Sequence, residues 1–142
     1  MSGMKYVNYL PAPAYFKLNQ AVALIDKAFG VHGTFGTYLV GSSLQRRDFR
    51  DVDVRMIMEN DAYDKLFPGA IDRPDLNAYW SLTCVTIADW LARETGLPID
   101  FQIQRQSVAN ELFPARKNLG EGPPQDHPRN ALGIFLGYPG GK

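Results

Sequence analysis

Three aspartates carry the chemistry this chain could perform. In Asp51-Val52-Asp53-Val54-Arg55-Met56 the acids and Arg55 alternate with apolar residues, and in Ile99-Asp100-Phe101-Gln102-Ile103-Gln104 the same alternation opposes Asp100, Gln102 and Gln104 to Ile99, Phe101 and Ile103. Successive side chains point to opposite faces of a strand, so each segment reads as a strand with one apolar and one polar face. If the two strands are neighbours, three carboxylates converge on one polar sheet face. Such carboxylates repel unless a cation sits between them, and an all-oxygen set selects a hard ion, Mg²⁺ or Mn²⁺. Two such ions about 3.5 to 4 Å apart can hold the attacking and leaving oxygens of an in-line phosphoryl or nucleotidyl displacement.

That chemistry needs a seat for phosphate. Leu39-Val40-Gly41-Ser42-Ser43-Leu44 offers a strand, a glycine where backbone can approach a ligand, and serines at a helix start whose N–H groups and hydroxyls can hold phosphate oxygens. Arg46, Arg47 and Arg50 follow, where a guanidinium could neutralise a triphosphate; the alternative is an exposed helix end with Arg47 or Arg50 paired to Asp48. Arg55 reads as a structural partner of a neighbouring carboxylate. A lone Asp-x-Asp is a weak signal, because acids alternate on the solvent face of many antiparallel strands. Its specificity here comes from the Gly-Ser turn before it and the apolar-Asp-apolar strand after it.

These three pieces, in this order over residues 34–104, resemble the nucleotidyltransferase superfamily typified by DNA polymerase β, especially its minimal antibiotic- and protein-modifying prokaryotic members. The resemblance implies a small mixed sheet flanked by helices, with an acidic active site on one sheet face. It implies that Gly41, Ser42 and Ser43, with Arg46 and Arg47, hold the triphosphate. By position Asp51 and Asp53 would bind both metal ions, and Asp100 would complete the acceptor-side ion and help deprotonate the attacking hydroxyl. The implied reaction moves a nucleoside monophosphate from an NTP, with ATP the best single donor, to a hydroxyl on a protein or small molecule, releasing pyrophosphate. The alternative is a module of the same fold that binds nucleotide or a partner without catalysis.

The elements that must position these residues can be read around them. Leu18, Val22, Ile25 and Phe29 share one face of a helix over 15–29 that Gly30 can end in the left-handed conformation. Thr34–Val40 and Val52–Met58 are β-rich strands, and Asp61–Phe67 is a short helix stopped by Pro68-Gly69. Asp72-Arg73-Pro74-Asp75 opens a long helix with Leu76, Trp80, Cys84, Ile87 and Leu91 on its buried face, ended by Gly96-Leu97-Pro98. Trp80 and Trp90 read as core, and Cys84 as a small buried hydrophobe. A strand over 99–104 and a helix over 107–113 complete a mixed α/β or α+β order.

Composition bounds the rest. With 142 residues and 45% hydrophobics the chain fits one domain, and fifteen basic against fifteen acidic residues leave no net field to draw long nucleic acid or anionic lipid. One cysteine excludes an internal disulfide and a Cys-rich zinc site. No signal h-region and no apolar run of about 18 residues is present, so the expectation is a soluble, cytoplasmic protein that engages no membrane. His32 and His127 read as ordinary surface residues. Residues 1–119 are read as the nucleotidyltransferase-like domain. Residues 120–142, which hold ten of the 23 glycines and prolines, are read as a tail whose Ile134, Phe135 and Tyr138 cover apolar surface on the domain or across a homo-oligomer.

Overall fold

The computed structural model describes residues 8–44, 47–112 and 133–137. Its elements are α1 (Ala12–Gly30), β1 (Thr34–Val40), a 3-10 turn (Ser42–Leu44), β2 (Val52–Met58), α2 (Asn60–Leu66), a second 3-10 turn (Pro74–Leu76), α3 (Ala78–Thr95), β3 (Ile99–Arg105), α4 (Gln106–Leu112) and β4 (Ile134–Phe135). The fold is α+β. One sheet has strand order β3-β2-β1-β4, with β1 antiparallel to both β2 and β4, and β2 parallel to β3. Two parallel strands cannot be joined by a tight turn, and α2 and α3 make the crossover.

Strand alternation divides the apolar side chains between the two sheet faces. Leu39, Val52, Val54, Met56, Met58, Phe101 and Ile103 belong to the main core, with Leu18, Val22 and Ile25 of α1 and Trp80, Cys84 and Leu91 of α3. On the other face Tyr38, Val40 and Ile57 pack with Ala109 of α4. On this face Asp53 and Asp100 keep 26% and 43% of their side-chain exposure among the described residues.

The helix starts and ends depart from expectation in two places. Gly30 is the last residue of α1 and is not left-handed; Val31, with φ −66°, follows, and the turn into β1 uses Gly33 at φ 111°. Asp72–Asp75 does not open the long helix. Pro74 starts the separate 3-10 turn, Asp75 is paired with Arg73 at 2.6 Å, and Asn77 caps α3 by accepting from Trp80 N at 2.9 Å. A side-chain oxygen at the N-cap satisfies an orphan N–H, which the Pro74 turn does not do for α3. Leu76 therefore falls off the buried face and is 72% exposed. Trp80 and Cys84 are buried as expected, Trp80 Nε1 donating to Ile103 O at 2.9 Å, and burial pushes the Cys84 thiol up to about 11.

The tail supplies β4. Tyr38 and Leu39 pair with Phe135 and Ile134, Ile134 and Leu136 are buried, and the Phe135 ring lies 5.3 Å from that of Tyr38. Tyr138 lies outside the described residues. Next to this strap Thr37 Oγ1 donates to Asp26 Oδ1 at 2.6 Å, and burial pushes the Asp26 carboxyl up to about 6, against the lowering effect of that hydrogen bond. The folded value stands above the ordinary 3.8, so the native state holds this proton more tightly than the unfolded chain does. Stability from Asp26 is therefore present below about pH 4 and is lost as pH rises through about 6. Asp26→Asn is expected to remove that decline and to be more stable than the unaltered chain at pH 7 by about 1–3 kcal/mol in urea unfolding. Parallel stability–pH curves for the two proteins would contradict this assignment.

Candidate active site at the acidic end of the sheet

The end of β1 and the start of β2 bring a glycine turn against an acid. Val40 pairs with Asp53, and Gly41 follows at φ +85°, a conformation that side chains rarely adopt. A Cβ on Gly41 would collide with the Asp53 carboxylate, so glycine is needed here both for its backbone and for the close approach of Asp53. After it the 3-10 turn closes with Leu44 N donating to Gly41 O at 3.1 Å.

The parallel pairing of β2 with β3 sets Asp53 opposite Asp100 and Arg55 opposite Gln102. Residues in register on adjacent strands share a face, so the two aspartates stand side by side. Arg55 joins them. Its Nη2 lies 3.4 Å from Asp100 Oδ2 and 3.7 Å from Asp53 Oδ1, while Nη1 donates to Asp100 O at 2.6 Å and Val54 O at 3.2 Å. The Arg55 side chain is 10% exposed, that of Asp53 26% and that of Asp100 43%. The guanidinium is thus the buried floor, and the carboxylates rise from it towards water.

Asp51 lies exposed one residue before β2 and shares strand parity with Asp53. Asp51, Asp53 and Asp100 do not form a three-carboxylate cluster: among the described residues no three His, Cys, Asp or Glu side chains stand close enough to hold a metal ion. Ser43 is fully buried and its hydroxyl has no hydrogen-bond partner among the described residues, so this side chain is turned into the protein and away from the rim. The side chain of Ser42 and all of Arg46 lie outside the described residues. Arg47 is exposed, with its guanidinium carbon 5.8 Å from the centre of the Tyr9 ring, and Arg50 is exposed too. His32 is exposed beside the Phe29 ring, and His127 lies outside the described residues.

Two participants escaped the reading of the sequence. Tyr9 borders the Gly-Ser turn, its N–H donating to Ser43 O at 2.8 Å, yet it belongs to no element that a pattern could announce. A cavity of about 140 Å³ opens beside β3, lined by Ile71, Trp80, Gln102, Ile103, Gln104 and Arg105 among others. Gln102 and Gln104 follow Asp100 on one strand face, a signal that was visible, but the cavity wall from α3 and the preceding turn was not. Arg105 is in turn held by Asp64, with both contacts at 2.9 Å, which fixes α2 to the end of β3 and keeps the Asp64 carboxyl below its ordinary range.

No family model, curated protein or solved structure matches the chain. Among the described residues no helix is long and apolar enough to cross a membrane.

Gly41→Ala is expected to destabilise the chain by about 1–3 kcal/mol in urea unfolding, through backbone strain and displacement of Asp53. Gly69 shares the left-handed conformation but has open space around it, so Gly69→Ala measures the strain alone. An equal cost for the two would show that Asp53 does not press on Gly41.

Proposed function

We propose that the acidic end of the sheet binds a nucleoside triphosphate, with ATP the best single donor, and transfers its nucleoside monophosphate to an acceptor hydroxyl with release of pyrophosphate. The observation that carries this reading is the side-by-side register of Asp53 and Asp100 on parallel strands with the Gly41 turn pressed against Asp53. The α+β sheet, with the acids on its polar face, agrees with what the resemblance implies. A cation suits the residues present if the triphosphate shares in holding it, because Mg²⁺ is usually bound by one or two carboxylates together with substrate phosphates. Asp51 and Asp53 are the residues that would hold it, and once bound it would neutralise phosphate oxygens and stabilise the leaving pyrophosphate.

The chain's own groups divide the remaining work. Backbone N–H groups of the Gly41 turn offer donors to the phosphates. Asp100, more exposed than Asp53, takes the proton from the acceptor hydroxyl as that oxygen bonds to the α-phosphorus and the bond to the β-phosphate oxygen breaks. The balanced charge speaks against long nucleic acid. A second reading, a nucleotide-binding module without catalysis, is favoured by one observation: the guanidinium of Arg55 engages both aspartates.

Calorimetric titration of the chain with ATP tests the reading: binding is expected only with Mg²⁺ or Mn²⁺ present, and Asp53→Ala is expected to abolish it. Pyrophosphate release from labelled ATP then separates enzyme from module, and Asp100→Ala is expected to lower that release by roughly 10² to 10⁴ while ATP still binds. Absence of cation-dependent binding in the unaltered chain would overturn both readings.

A further inference from the structure

The polar face of the sheet contains a permanent positive charge that the transfer reading does not use. A guanidinium does not lose its proton in proteins, and withdrawing it from water is costly unless acceptors surround it. Arg55 is nine-tenths buried, its acceptors are the main-chain oxygens of Val54 and Asp100, and its Nη2 lies between the carboxylates of Asp53 and Asp100. Its Nε is buried without a hydrogen-bond partner among the described residues, so the side chain is held by its outer nitrogens towards those two acids. Asp53 and Asp100 neutralise Arg55, and Arg55 in turn lets two like charges stand in register.

The two-ion arrangement would require a divalent cation bridging the acids on adjacent strands. Here that ground is taken by a side chain of the protein, and a divalent ion placed beside the guanidinium would be repelled by it. The residues therefore do not fit a second ion. We propose that Arg55 stands in for it: the chain supplies its own cation between Asp53 and Asp100, and the site takes one divalent ion, on the side of Asp51 and Asp53. Arg55 acts as a positioning residue, fixing Asp100 through its carbonyl and its carboxylate. The one-ion clause rests on the nucleotidyl-transfer reading, whereas the role of Arg55 as counter-cation does not.

Electron paramagnetic resonance of the full chain titrated with Mn²⁺, in the presence of α,β-methylene ATP, counts the ions. One bound Mn²⁺ per chain is expected, and two would overturn the proposal. Thermal unfolding with Mn²⁺ alone tests the counter-cation role without nucleotide. Arg55→Met leaves the acids unneutralised, so its Tm is expected to fall and to recover by about 4 °C or more in Mn²⁺, while the unaltered chain and Arg55→Lys stay unmoved. Adding Asp100→Asn to Arg55→Met should abolish the recovery. A melting temperature of Arg55→Met that ignores Mn²⁺ overturns the counter-cation role, and the ion count on the unaltered chain decides the one-ion clause even if that variant fails to fold. No bound Mn²⁺ at all would overturn the transfer reading and its one-ion clause, while the melting comparison still decides Arg55.

Discussion

The guanidinium of Arg55 holds together what the rest of the polar face depends on. Its shortest bond, 2.6 Å to the carbonyl of Asp100, runs from β2 to β3 and ties the two parallel strands at the level of the acids. Bonds from a charged donor to a carbonyl are stronger than neutral ones, and here the donor is shielded from water. The contacts to the carboxylates are longer, and water reaches them, so each is weaker than the main-chain bond, and together they offset the repulsion between the two acids. Their importance is geometric: they set which way Asp53 and Asp100 point.

Everything else at this end of the sheet is arranged around that fixed pair. Gly41 must be glycine because Asp53 lies against its backbone, and the 3-10 turn that follows buries Ser43 while holding the Tyr9 segment through a main-chain bond. On the opposite face Val52, Val54, Phe101 and Ile103 are sealed by α1 and α3, which makes the strands rigid beneath the site. On the polar face Ala109 of α4 packs with Tyr38, Val40 and Ile57. A rigid floor beneath partly exposed acids is the kind of setting in which charged groups can be held at fixed separation while a ligand approaches.

Much of this was legible in the residues themselves. The bounds of β1 and β2 follow from runs of β-branched and aromatic residues, and parity alone sets Asp53 with Arg55 on the polar face of one strand and Asp100 with Gln102 on the polar face of another. What parity cannot give is pairing. That β2 and β3 are neighbours, parallel and in the register that opposes Asp53 to Asp100 is a long-range fact, and the bond from Arg55 to the Asp100 carbonyl exists only in that register. Local rules also competed: Pro74 looked like a helix start, but Asn77 could cap the helix with its side chain and won. Ser43 read as a residue whose hydroxyl could hold phosphate, yet in the 3-10 turn it is buried in the protein.

The central claim is that Asp53, Gly41 and Asp100 form one site whose inner charge is Arg55. A crystal structure grown with Mn²⁺ and α,β-methylene ATP, with anomalous scattering used to locate manganese, tests it most directly. The account predicts one manganese peak at Asp53, the triphosphate against the Gly41 turn, and Arg55 still bonded to the Asp100 carbonyl. A nucleotide bound elsewhere, or a manganese ion lodged between Asp53 and Asp100 with Arg55 displaced, would contradict it.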